Sequence, residues 1–256
     1  MKLWRKFLKK LKRADKERGY ACDSCGAELF DYPKHRLCEK CEEKLLKTGE
    51  KCCDKCGRQT KTVGVCLTCK SHLPKFTKAF SPFLYRGTAA KLVNRMKNGS
   101  PRLALYFGEK CAEYLLSKTE EKEFLIVPVP TTEKRLKERG YNQAEELAKS
   151  VSCALKMAGK SVALDNEILQ RKRENAAQKK LGFTERARNI AGAFHLHKRK
   201  LVQDKTALLI DDIMTTSATG SACAELMRNA GAKAVYFLTP VATPELSLTR
   251  VEPQQA

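Results

Sequence analysis

The stretch ALLIDDIMTTSATGSA, residues 207–222, passes from an apolar run through two adjacent aspartates into a string of small and hydroxyl-bearing residues. ALLI has the composition of a fully buried strand, and beyond the loop Cys223, Leu226, Met227 and Ala230 recur at helical spacing until Gly231. AVYFLTPVA, residues 234–242, then supplies another strand. Strand, loop, helix and strand in this order make a βαβ unit, which calls for parallel strands with a helix on the sheet face.

The alternation extends toward the N-terminus. FLIVPVP, residues 124–130, reads as a buried strand ended by prolines. Before it, Ser100-Pro101 predicts a helix start, with Leu103, Phe107, Cys111, Tyr114 and Leu115 as the apolar face. After it, Asn142 with Glu145 predicts a capping box, followed by the stripe Leu147, Val151, Ala154, Leu155 and Ala158 up to Gly159. The expectation is an α/β fold, a mainly parallel sheet with helices on both faces. Ligands of such sheets bind at the carboxyl ends of the strands, so the loops after FLIVPVP and ALLI should open on the same side.

A loop that leads from a parallel strand into a helix presents free backbone N–H groups and the positive end of the helix dipole, a setting for phosphate. Thr215, Thr216, Ser217 and Thr219 add hydroxyl donors around Ala218. Asp211 and Asp212 would repel that phosphate; they need hydroxyls, amines or a divalent cation. A sugar phosphate satisfies both halves of the loop, and a solvated strand end is the alternative reading.

Eight of the twelve cysteines form four C-x-x-C pairs, Cys22/Cys25, Cys38/Cys41, Cys53/Cys56 and Cys66/Cys69. Two thiolates on one tight knuckle aim at a tetrahedral ion, and two knuckles complete a Cys₄ zinc site. The reading is two zinc ribbons in tandem, holding about two structural Zn²⁺ ions. Pairing the first knuckle with the third, in a cross-brace, fits the spacing too. Cys52 is a spare neighbour of Cys53, and His35 an alternative ligand. A disulfide framework is disfavoured because Cys111, Cys153 and Cys223 stand alone in the sequence, as thiols do in a reducing cytosol.

The formal net charge is +21, an excess that attracts polyanions, nucleic acid first. Residues 1–19, MKLWRKFLKKLKRADKERG, place Trp4, Phe7, Leu8 and Leu11 on one stripe of a basic helix. Such a helix suits an anionic membrane surface, nucleic acid phosphates or docking on the rest of the chain. Lysines interrupt its apolar residues, unlike a secretory signal, so a cytoplasmic location is expected, with peripheral membrane contact through residues 1–19 open.

LLIDDIMTTSAT resembles the phosphoribosyl-pyrophosphate (PRPP) motif of type I phosphoribosyltransferases. VPVPTTEKRLKERGYNQAEELA, QRKRENAAQKKLGFTERARNIAGAF and the cysteine-rich front are similar to the competence protein F branch of that group. The resemblance covers Cys22 to about Pro240. It implies a type I phosphoribosyltransferase-like domain over residues 76–245 and a double zinc ribbon over 20–75; the basic helix over 1–19 and a tail over 246–256 lie outside it.

It further implies that Asp211 and Asp212 hydrogen-bond the ribose hydroxyls of PRPP. Thr215, Thr216, Ser217, Ala218 and Thr219 would wrap the 5′-phosphate. Lys134, Arg135 and Arg139 lie in a basic turn suited to a Mg²⁺-bound pyrophosphate, and a mobile flap would come from Gln170 to Gly192. One departure is visible: family loops commonly read T-T-G-x-T, and Ser217 replaces the glycine. The implied role is in natural transformation, handling incoming single-stranded DNA beside competence or recombination proteins. The alternative is an active Mg²⁺-dependent phosphoribosyltransferase, with Asp211, Asp212, Arg135 and Arg139 as catalytic residues and an unread acceptor base. Elemental analysis of the reduced protein is expected to find about two zinc ions per chain; a metal-free protein would overturn the ribbon reading.

Overall fold

The computed structural model describes residues 21–29, 37–171 and 192–245. The basic helix expected over residues 1–19, His35, most of the flap segment and the tail lie outside them. The strands are β1 (Lys78–Phe80), β2 (Phe83–Leu84), β3 (Glu123–Pro128), β4 (Ser161–Leu164), β5 (Leu169–Arg171), β6 (Phe194–Leu196), β7 (Thr206–Ile210), β8 (Ile213–Met214), β9 (Ala234–Leu238) and β10 (Val241–Ala242). The helices are α1 (Glu39–Glu43), α2 (Leu67–Ser71), α3 (Gly87–Lys97), α4 (Leu103–Leu116), α5 (Glu133–Arg139), α6 (Gln143–Met157) and α7 (Ala218–Arg228).

Among the described residues the central sheet has five parallel strands in the order β1-β9-β7-β3-β4. The period-two alternation of β3 divides its side chains between two cores. Phe124 and Ile126 join α4 and α6 on one face, whereas Leu125 and Val127 join α7 on the other. All five residues of β7 are buried, which is why ALLI reads as an uninterrupted apolar run. From β3 the chain crosses over to β4 on one side; from β7 it crosses to β9 on the other. The topological switch point therefore falls between β3 and β7, where a crevice opens at their carboxyl ends.

Three sequence expectations are corrected in detail. AVYFLTPVA is two strands, because Pro240 has no N–H to continue the ladder and the chain steps into a second sheet of order β2-β10-β8. The helix expected at Ser100-Pro101 opens with a turn, Leu103 N donating to Ser100 O at 3.1 Å, and is regular only from Leu103. Asn142 does cap α6, accepting from Ala144 N at 3.2 Å. Glu145 does not complete a capping box; it binds Lys149 at 3.0 Å and Asn166 at 2.8 Å.

The cysteine-rich segment is bonded to the body along its length. Asp23, between the first two knuckle cysteines and almost fully buried, accepts two N–H groups from Arg102 at the start of α4. A carboxylate at that depth, parted from water, is costly without such a hydrogen-bonded partner. Tyr106 of α4 donates to Glu42 of α1 at 3.1 Å. In the third knuckle, Lys55 O accepts from Ala79 N of β1 at 2.9 Å. Gly57 makes that approach possible: its φ is +65°, and a β-carbon there would lie 2.3 Å from Ala79 O. Farther along, Lys75 N donates to Ser221 Oγ in the first turn of α7 at 3.0 Å.

Candidate functional site

The loop after β7 leaves the sheet at the switch point. Val129 N, just past β3, donates to Ile210 O at 2.8 Å, so the two loops start side by side as the βαβ argument requires. The chain then forms β8 against β10 and turns through exposed Thr215 and Thr216. Thr243 fastens the turn, its amide donating to Met214 O at 3.0 Å and its hydroxyl to Thr215 O at 3.3 Å. Ser217 is buried at the N-cap position of α7, with half-buried Ala218 and Thr219 opening the helix. At Gly220 a β-carbon would come within 2.6 Å of the Phe237 ring, so glycine lets the first turn of α7 lie close on β9.

Ser217 has φ +63° and ψ 0°, the left-handed region. Its side chain makes no cap hydrogen bond to the helix. The departure visible in the sequence thus falls where the backbone favours glycine, and an L-residue there costs on the order of 1 kcal/mol.

The acid pair is partly buried. Asp212 N donates to Asp211 Oδ1 at 2.8 Å, and Lys97, the last residue of α3, pairs with Asp212 Oδ2 at 3.1 Å. Desolvation, and then the Asp212 charge, push the Asp211 carboxyl up to about 8, against the pull of its bond from Asp212 N and the charges of Lys97 and Arg171. The shift favours the protonated form of Asp211 in the free protein. Nothing in the local sequence marks Lys97 among 50 lysines and arginines; only the fold brings it to the acids.

The basic turn becomes α5, capped by Thr132, whose hydroxyl accepts from Arg135 N at 3.2 Å. Lys134 and Arg135 are exposed and Arg139 is half-buried; Lys134 lies 3.8 Å from Glu138 on its own helix. The pairing of β3 with β7 brings the turn to the same crevice as the acids, with these side chains still toward solvent.

The eight cysteines form two sets, Cys22, Cys25, Cys38, Cys41 and Cys53, Cys56, Cys66, Cys69, with the sulfurs of each set within 4.8 Å of one another. Neighbouring knuckles are paired, not cross-braced. Cys25 and Cys38 sulfurs are 3.7 Å apart, and Cys56 and Cys66 sulfurs 3.8 Å. A tetrahedron with Zn–S bonds of about 2.3 Å has edges of roughly 3.8 Å, so both sets are compatible with a structural zinc ion. Amides point at the sulfurs: Cys38 N donates to Cys22 Sγ and Cys66 N to Cys53 Sγ, each at 3.3 Å. Burial raises the Cys22 pKa, but the N–H groups of Cys25, Cys38 and Ser24 outweigh it and bring the thiol down to about 6, toward the ligating thiolate. Cys52 is outside the set, its thiol donating to Gly49 O at 2.9 Å.

The family model described as phosphoribosyl transferase domain matches residues 109–251. Competence protein ComFC of Streptococcus pneumoniae is 30% identical over 203 residues, 78% of this chain and 84% of that protein. The chain belongs to the competence protein F family of phosphoribosyltransferase-fold proteins. Competence protein ComFC of Bacillus subtilis is 25% identical over 194 residues, 73% of this chain and 75% of its own length. DNA utilization protein YhgH of Escherichia coli K12 is 34% identical over 110 residues, 43% of this chain and 45% of that protein. The double Cys₄ front and the parallel sheet of this family member agree with the resemblance stated from its motifs.

Ser217→Gly is expected to stabilise the protein by about 1 kcal/mol, by releasing the left-handed strain. A denaturant midpoint that stays level or falls would show that the serine side chain offsets its backbone cost.

Proposed function

We propose that this chain binds PRPP with Mg²⁺ in the crevice between β3 and β7, and takes part in the handling of incoming single-stranded DNA during natural transformation. The observation that carries the ligand reading is the acid pair leading into a helix N-terminus at the switch point, beside a basic helix. Asp211 and Asp212 take the ribose hydroxyls, and Thr215, Thr216, Ser217, Ala218 and Thr219 surround the 5′-phosphate with amides and hydroxyls. Lys134, Arg135 and Arg139 balance the pyrophosphate charge, the first two with exposed side chains free to swing toward it. Mg²⁺, arriving on the pyrophosphate, supplies charge neutralisation there.

The DNA reading is supported by two of the relatives' printed names, competence protein and DNA utilization protein, and by the net charge of +21. A metabolite needs only a local basic patch, whereas a charge of this size suits an extended phosphate backbone. Residues 1–19 extend that contact, or lie on an anionic membrane. Among the described residues no helix is long and apolar enough to cross a membrane. A second reading, transfer of the phosphoribosyl group to an acceptor base, is favoured by the presence of both acids and the basic helix. In that reaction the acids orient the ribose while Arg135 and Arg139 stabilise the departing pyrophosphate.

Calorimetric titration of PRPP with Mg²⁺ is expected to show binding that Asp211→Ala/Asp212→Ala abolishes. Because Asp211 is raised to about 8 in the free protein and takes its ribose hydroxyl as a carboxylate, binding is expected to release a proton at pH 7. Affinity therefore rises with pH and levels off above about 8; an affinity flat between pH 6.5 and 8.5 contradicts this assignment. Single-strand binding is expected to fall steeply with salt and to weaken when residues 1–19 are deleted, and binding indifferent to salt would remove the charge argument.

A further inference from the structure

We propose that Lys97 is a further ligand-binding residue of this site: it holds Asp212 in the free protein and serves the pyrophosphate end of the bound sugar phosphate. The proposal rests on the PRPP reading given above.

Two observations and one chemical argument carry it. Lys97 Nζ is 3.1 Å from Asp212 Oδ2, and both side chains are about one-fifth exposed, far more enclosed than the Lys134–Glu138 pair on α5. A pair at that depth is only partly screened and keeps its geometry. Second, the end of α3 is fastened to the segment that follows the basic helix. The Tyr141 hydroxyl donates to Met96 O and accepts from Gly99 N at 3.0 Å, and Gln143 Nε2 donates to Lys97 O at 3.3 Å. Tyr141 comes two residues after Arg139, so the backbone under Lys97 is tied to the end of the helix assigned to pyrophosphate. Third, an ammonium beside a carboxylate that takes a ribose hydroxyl has the neighbouring anionic substituent of the sugar within reach of its flexible stem.

The chemistry follows. With the crevice empty, Lys97 is the counter-charge of Asp212. When the hydroxyls occupy the acids, the ammonium keeps one N–H on Asp212 and turns another to the pyrophosphate, since it has three donors. The charge that steadies the free site thus becomes part of the ligand's own counter-charge. α3 contributes to the site even though its sequence carries no phosphate motif.

The test compares two probes, PRPP with Mg²⁺ and ribose 5-phosphate, which lacks the pyrophosphate. For Lys97→Met we expect PRPP affinity to fall by about tenfold or more, with ribose 5-phosphate affinity unchanged within about threefold. Lys97→Arg should restore much of the PRPP affinity. Unchanged zinc content and thermal midpoint identify a folded variant, and Lys97→Gln provides a second neutral replacement should methionine disturb folding. An equal loss for both probes would overturn the proposal, because Lys97 would then only steady the acids. So would undiminished PRPP binding in both neutral variants. Wild-type protein that binds neither probe would instead remove the PRPP reading itself, and this proposal with it.

Discussion

The pairing of β3 with β7 is the constraint on which the site depends. These strands are neighbours in the sheet yet distant in sequence, and their outgoing connections turn to opposite sides. A crevice at their carboxyl ends is the geometric result. The acid-bearing loop and the basic helix meet there because one hydrogen-bond register, Pro128 opposite Ile210, sets both exits at the same height. A slip of one residue would turn β3 over, exchanging Leu125 and Val127 for Phe124 and Ile126 against the wrong helices.

Much of this was legible in the sequence, for physical reasons that differ from part to part. ALLI and FLIVPVP are readable because parallel strands covered on both faces must be apolar without interruption. The zinc ligands are readable because tetrahedral thiolate coordination leaves little freedom in spacing, though which knuckles pair is a tertiary matter that spacing left open. Ser217 could be flagged by type, but its strain depends on a φ value that only the fold reveals. Lys97 was not readable at all: its role comes from the packing of α3, whose end is placed by Tyr141 and Gln143 from another part of the chain. The division of AVYFLTPVA lay in Pro240, a breaker visible in the sequence whose consequence, a strand in a second sheet, was not.

The site is held in a conformation that local preferences oppose. Two adjacent acids are partly withdrawn from water, and a serine occupies a glycine-favouring backbone position near them. Surrounding packing offsets these costs: the close seat of α7 on β9 through Gly220, the anchoring of the turn by Thr243, and the counter-charge of Lys97. Such strain persists only where the neighbourhood over-determines the conformation.

The hydrogen bond from Ala79 N to Lys55 O has a consequence beyond domain attachment. β1 is the outermost strand of the central sheet, and β2 borders the second sheet. The cysteine-rich segment covers both margins, at β2 through Leu84 N to Leu46 O and Thr48 N to Pro82 O, each at 2.8 Å. Uncovered strand margins recruit other chains. The cysteine-rich module thus stands as an edge guard: where its backbone occupies these margins, another strand has no free donors and acceptors to pair with.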